Sequence, residues 1–504
     1  MRDFGKLFSD QLCEGLSDIW PQVRLACCSA SRHFMLTIKS LFLNQKKELL
    51  KKEKKEKKNK KKAKNEEENN NGDSFDYWRC YEQFVPPLCF NRYYDAEGVR
   101  LFNMESWTKI TEGEGKSIVS KLIKQVLHYY FERAKSENEN DREASYHCIS
   151  EILIKIDKKL ILPHLPSIKE ILLLGLKDDV WNVKESSSYC CGRFFTSFPQ
   201  ASKDENFDLI DQLSILLGDT FPSVRLNAAI SLSQFLESSP FASSLFKSYF
   251  LPLLSHLLPL AILQPSYHKN NPNTPQTNLP FHLKINPPPF IQTNPSPQQN
   301  FLKTSFPSPF LSNNFAKKEN FLDILKEMEK IEKQGEIFDK NQKKKRDNDL
   351  EIHTNQESFS CCNFEPQKSK KEKDETDVWE KSDGAVSLFA ELSKIFPDEC
   401  FNLLEIFSKI SSLMHFPLYH ILLQNLWNSL PVISTNIQKF DKNTFLTLFL
   451  PHLKRVVEST DNRHLLTSIY PSFTFFVKKF DLKESDDKDQ IYHLYSIFEK
   501  HNIK

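Results

Sequence analysis

The sequence predicts an all-α protein of stacked helical pairs, interrupted by two segments that do not fold on their own. Three observations carry this prediction. Apolar residues recur at helical spacing over 12–18 residues, broken by Pro, Asp or Asn, and alternating strand patterns are absent. A turn motif recurs in internal copies that align without a gap. Two stretches differ in composition from everything around them.

The internal copies are 15–34 (GLSDIWPQVRLACCSASRHF), 175–194 (GLKDDVWNVKESSSYCCGRF) and 217–235 (LGDTFPSVRLNAAISLSQF). In each, an Asp (Asp18, Asp178, Asp219) is followed five residues later by Val (Val23, Val183, Val224) and then at once by a base (Arg24, Lys184, Arg225). An aromatic closes each copy sixteen residues after the Asp: Phe34, Phe194 and Phe235. The spacing assigns roles. The Asp sits in a turn, where its carboxylate accepts N–H groups at the start of the second helix. The Val and the aromatic point inward from that helix, and the base reaches the Asp of its own or a neighbouring repeat. Asp141-Arg142 leading to Ile152, and Val99-Arg100 leading to Ile110, are weaker copies that keep the ten-residue step. LPHL at 162–165, LPLL at 251–254 and LPHL at 450–453 are expected to open helices, with Pro in the first turn, where its missing N–H costs nothing.

A turn Asp followed by Val-Arg resembles the HEAT family of armadillo-like α-solenoids. The resemblance implies a solenoid of about seven to nine HEAT-like helical pairs, each burying its core only by stacking on the next. The expected pairs are 3–17/21–43, 75–91/95–111, 115–135/141–156, 162–176/181–198 and 205–217/222–237. Three more are expected at 245–263/383–396, 398–413/416–435 and 442–459/461–480, then a short helix near 488–501. The blocks at 80–102 and 379–384 (WEKSDG) are similar to a HEAT-like group of plant and protist proteins, a likeness that implies fold and no activity.

The two foreign stretches are 44–74 and 264–377. Lys46–Lys64 holds twelve Lys and three Glu, a net of +9, before running into EEENNNGD. Residues 264–316 are rich in Pro, Asn, Gln and Ser, and 317–377 in Lys, Glu, Asp and Gln. Neither offers enough apolar surface to offset a backbone ordering cost of about 1–2 kcal/mol per residue. The expected organisation is a first repeat at 1–43, a disordered basic/acidic insertion at 44–74, repeats at 75–263, a disordered insertion at 264–377, and C-terminal repeats at 378–504. The second insertion then splits the sixth pair between its two helices. Inside it, Phe321, Ile324, Leu325, Met328 and Ile331 recur at helical spacing, as one amphipathic helix would.

Composition excludes several functional classes. Only 11 of 504 residues are Gly, too few for the phosphate-cradling turns of a doubly wound nucleotide enzyme. The net charge of +2 leaves nucleic-acid or membrane binding to local runs. Eleven Cys, with no CxxC and no secretory h-region, point to reduced thiols in a cytoplasmic chain. Phe250–Leu263, the longest apolar stretch, is too short to span a bilayer.

No catalytic constellation emerges. Gly113-Glu114-Gly115-Lys116-Ser117 imitates the end of a phosphate-binding loop, but the position that needs the first Gly is Ile110. There is no HExxH and no GxSxG, and His415 and His420 lie five apart, on different faces of any helix. Asp178-Asp179 is explained by helix capping. The expectation is therefore a non-enzymatic scaffold with no catalytic residue, cofactor or metal, and with other proteins as partners. The turn aromatics Trp20, Trp181 and Phe221 are its candidate contacts, or else staples against the next repeat. A tubulin-binding TOG-like array and a phosphatase-type scaffold subunit are alternatives by resemblance. A nucleic-acid-associated protein using the basic runs is another. Lys343-Lys344-Lys345-Arg346 and the 46–64 run are candidate nuclear-import signals. The neutral charge does not favour a nuclear transport receptor.

Overall fold

The structure, a computed structural model, describes residues 2–59, 77–199, 207–263, 378–410, 420–484 and 488–503. Among them every regular element is helical. The chain forms two compact units, 1–201 and 202–504, each a HEAT-like α-solenoid of helical pairs. The division falls inside the 75–263 block that the sequence reading kept whole. The expected features at 60–74 and 264–377, including the 321–331 helix and Lys343–Arg346, lie outside the described residues.

In the first unit, helices α1 (Arg2–Gly15), α2 (Pro21–Asn59), α3 (Tyr77–Phe90) and α4 (Glu97–Thr111) form the first two pairs. Helices α5 (Gly115–Lys121) and α6 (Ile123–Arg133) pair with α7 (Glu139–Lys155). Helices α8 (Lys158–Ile161) and α9 (Leu165–Leu176) pair with α10 (Trp181–Ser197). Second helices stack on one another, α2 on α4 and α7 on α10, while α3 packs on α1 and α6. Within a pair the crossing is close. An ideal Cβ on Gly15 would lie 2.2 Å from the Cys27 sulfur, and one on Gly175 2.3 Å from the Tyr146 ring and 2.7 Å from Ser187 Cβ. Cys27 and Ser187 both stand nine residues past the turn Asp, so a small residue recurs where the first helix crosses the second.

In the second unit, α11 (Phe207–Leu216) pairs with α12 (Pro222–Ser238). Next comes a continuous helical run: α13 (Ala242–Leu245), a π-helical turn (Phe246–Phe250), α14 (Leu251–Leu257) and a 3₁₀ turn (Leu258–Leu263). Helix α15 (Val378–Ser393) packs on this run, with Ser382 Oγ donating to the Leu258 carbonyl at 2.8 Å. Then follow α16 (Pro397–Phe401), α17 (Leu404–Ile410), α18 (His420–Asn436), α19 (Lys442–Thr444), a π turn (Phe445–Phe449), α20 (Leu450–Ser459), α21 (Arg463–Lys479) and α22 (Lys488–Lys500). The second helices form one row, α12 on α15, α15 on α18 and α18 on α21.

Three expectations need correction. Helix α2 runs to Asn59, so the segment expected to be disordered from 44 begins as helix. Its Lys, Glu and Leu residues are strong helix formers that prolong a helix already nucleated by packing. Pro252 and Pro451 do not open new helices. Each follows directly on a π-helical turn in an unbroken run, and the widened turn accommodates the ring and the missing N–H. Val23 is not inward: it is 42% exposed, and Phe34 is only half-buried, whereas Val183, Val224, Phe194 and Phe235 are all buried. Ile19 and Trp20 beside Val23 are exposed as well, so this side of the α1–α2 turn is uncovered.

Candidate functional site

The turn motif builds one arrangement several times. Asp18 Oδ1 accepts the Trp20 N–H at 2.8 Å, Asp178 Oδ1 that of Val180 at 2.9 Å, and Asp219 Oδ1 that of Phe221 at 3.0 Å. These are Asx turns that fix the chain two residues on, just before the second helix starts. Pro21 and Pro222 then occupy the first helical position, where proline's fixed φ suits the helix.

The base six residues after the Asp folds back over this turn. Arg24 Nε donates to the Asp18 carbonyl at 2.8 Å, and Arg225 Nη1 to the Asp219 carbonyl at 2.6 Å. Arg142 Nη1 does the same to Ser136 at 3.0 Å, with Ser136 standing where the other copies have Asp. The far end of each guanidinium reaches a carboxylate elsewhere in its unit. Arg24 Nη2 meets Asp141 Oδ1 at 2.9 Å, and its plane lies 3.8 Å over Tyr94. Arg142 holds Asp178 in a fork, Nε to Oδ2 at 2.7 Å and Nη2 to Oδ1 at 3.0 Å, and this contact raises the Arg142 pKa. Arg225 Nε meets Asp383 Oδ2 at 2.7 Å, and Asp383 also accepts from Asn425 Nδ2 at 3.0 Å. Both members of the Arg24–Asp141 and Arg225–Asp383 pairs are buried. Each base therefore clasps its own turn through a backbone carbonyl and a later helix through a carboxylate. Lys184, half-buried, is the shorter base of the third copy.

The aromatics of the same turns face outward. Trp20 is 63% exposed, Trp181 39% and Phe221 41%, beside buried Arg24, Val183 and Val224. The sequence reading missed a fourth. Phe241 is 64% exposed, and its N–H donates to Ser239 Oγ at 3.2 Å just ahead of α13. Its signal was Ser-x-Phe before a helix, with Ser in place of Asp. The reading also missed Asp383, the buried Asn91, whose Oδ1 accepts from Arg24 Nη1 at 3.0 Å, and the Arg92–Glu151 pair. No spacing rule links Arg225 to a carboxylate 158 residues away.

A cavity of about 340 Å³ opens in the first unit between the α4–α5 turn and the end of α7. It is where the Gly113–Lys116 fragment falls. Arg92 and Glu151 lie in it, joined Nη2 to Oε2 at 2.5 Å and Nη1 to Oε1 at 3.3 Å, with Lys155 Nζ on Glu151 Oε1 at 2.8 Å. Burial opposes ionisation of Glu151, but these two cations outweigh it and hold its pKa below the usual range. Burial pushes the neighbouring Cys89 thiol up, despite Arg92 Nη2 at 2.8 Å from its sulfur. Gly113, at φ 88°, shapes the turn. Helix α5 follows a helical turn of α4 rather than a strand, so no loop wraps a phosphate here. Among the described residues no group of His, Cys, Asp or Glu has the arrangement of a metal site. No described helix is long and apolar enough to cross a membrane.

Helical pairs joined by Asx turns, with bases clasping one turn and a later helix, define a HEAT-like α-solenoid. No family model matches the sequence, and no curated protein matches it. Solved structures do. Yeast importin-beta (Kap95p) aligns with 99% of this chain and 55% of its own, at 11% identity and a TM-score of 0.36. A Kap95:Nup1 complex aligns with 98% and 50%, at 12% identity and a TM-score of 0.34. Kap121p aligns with 98% and 44%, at 10% identity and a TM-score of 0.32. The chain spans about half the length of these structures.

Proposed function

We propose that the chain is a protein-binding scaffold that contacts partners through turn aromatics, Trp20 and Trp181 in the first unit and Phe221 in the second. The observation that supports this is the division of labour inside one motif. Arg24, Arg225, Val183 and Val224 are buried in the stack, while large aromatics, the residues most enriched among interface anchors, stand 39–63% exposed at the turns. The test is capture of partners by wild type and by the Trp20→Ala/Trp181→Ala/Phe221→Ala variant, compared by quantitative mass spectrometry. The proposal expects a discrete set of proteins to be lost with thermal stability unchanged. Unchanged capture, or a large fall in stability, would refute it.

A second reading draws on α2. The second helices α10 and α12 span 17 residues each, whereas α2 spans 39, and its excess carries the Lys run. Under this reading the excess associates with nucleic acid, and binding would weaken steeply with salt and vanish on deleting 44–74.

A further inference from the structure

We propose that the cavity between the α4–α5 turn and the end of α7 receives an acidic side chain of a partner peptide. The charge balance supports this. Arg92 and Glu151 neutralise each other inside the cavity. Among the lining residues the balance leaves two positive charges: Lys155, which shares Glu151 with Arg92, and Lys116, both exposed, and among the described residues Lys116 has no ion pair. Arg92 adds one donor. Of its five N–H groups, Nε is engaged by the Cys89 carbonyl, one on Nη1 by Glu151, and two on Nη2 by Glu151 and the Cys89 sulfur. The second Nη1 hydrogen is left for a ligand.

The walls suit a peptide side chain. Trp107 lies 4.9 Å from the Arg92 guanidinium and packs on Gly115, where an ideal Cβ would be 2.8 Å from the indole nitrogen. The missing Cβ lets the indole stand against the α5 backbone. Val119, Ile152 and Ile156 complete the apolar lining, against which the methylenes of a Glu would lie. At about 340 Å³ the cavity is at the small end of ligand pockets, which run to about 1,000 Å³, so it fits a side chain better than a cofactor. A carboxylate is favoured over phosphate because the loop of backbone N–H groups that would cradle a phosphate is missing. The inference rests on the partner-binding reading but places a contact away from the turn aromatics.

The test is fluorescence anisotropy with the full chain, using a fluorescein-labelled peptide of alternating Glu and Ala, its Gln counterpart, and inorganic phosphate as competitor. The Glu peptide should bind and the Gln peptide should not. Lys116→Glu/Lys155→Glu should weaken binding by about tenfold or more, with circular dichroism unchanged because both residues are exposed. The Trp20→Ala/Trp181→Ala/Phe221→Ala variant should bind the peptide as wild type does, which separates failure of the turn surface from failure of this site. No binding by wild type, equal binding by the double Lys variant, or equal binding of the Gln peptide would overturn the proposal. Displacement by inorganic phosphate at concentrations comparable to the peptide would do so too, making this a phosphate site.

Discussion

Arg225 shows how much one side chain does in this fold. Its guanidinium satisfies the Asp219 and Thr220 carbonyls at one end and the Asp383 carboxylate at the other, with both charges out of water. Burying such a pair is close to neutral in net stability, but removing one member strands the other. Asp383→Ala should therefore cost about 3–5 kcal/mol in denaturant unfolding. Asp219→Ala, which removes the Asx acceptor for Phe221, should cost about 1–2 kcal/mol. Equal effects would contradict the assignment of a buried partner to one and a capping role to the other. His452 gives a pH signature. Burial, then Arg455 and Lys409, lower its pKa to about 4 from the ordinary 6.5. The unfolded chain takes up a proton below about pH 6.5 that the folded chain refuses until about pH 4. Stability is therefore intact above pH 6.5 and falls across that window, by on the order of 3 kcal/mol at its acid end. His452→Gln should flatten the fall, and a pH profile identical to wild type would contradict the assignment.

At the scale of elements, α15 is the piece on which the second unit depends. It packs on α12, on the run ending at Leu263, and on α18. Its approach is close enough that an ideal Cβ on Gly384 would lie 2.1 Å from the Leu217 carbonyl oxygen and 2.8 Å from two further backbone atoms. Backbone cannot step aside as a flexible side chain can, so Gly384→Ala should destabilise by at least about 1–3 kcal/mol. Gly98→Ala is the control, since its Cβ would meet only Leu25 Cδ2 at 3.9 Å in an open part of α4. Thermal melts that rank the two alike would refute this view of α15. The start of α15 was legible only in part. The sequence reading began its helix at 383, and the structure begins it at Val378. Helices α10 and α12 were legible almost to the residue because a turn Asp, a defined start and helical periodicity agree there. The far end of α2 was not, because a Lys- and Glu-rich stretch satisfies the composition of a disordered segment and of a solvated helix alike. The π turns before Pro252 and Pro451 were hidden for a related reason: proline marks a helix start and a widened turn with the same residue.

For the whole molecule, the turn motif has an inner and an outer side. The inner side was half legible. Spacing named the bases, but only the fold pairs Arg24 with Asp141 and Arg225 with Asp383, carboxylates that no sequence interval connects to them. The outer side was named as Trp20, Trp181 and Phe221, without their exposure, which depends on what each repeat leaves uncovered. The cavity at Arg92 was invisible, because it is assembled from four helices and the turns between them. The central claim, that the outer side is a protein-contact surface, is tested most directly by photo-crosslinking in cells. A benzophenone amino acid would be placed at 20, 181 or 221 in turn, and at Met104, an exposed position in the middle of α4, as the control. The three turn positions are expected to crosslink to another polypeptide and position 104 is not. Crosslinks confined to this chain, or the same products from position 104, would contradict it.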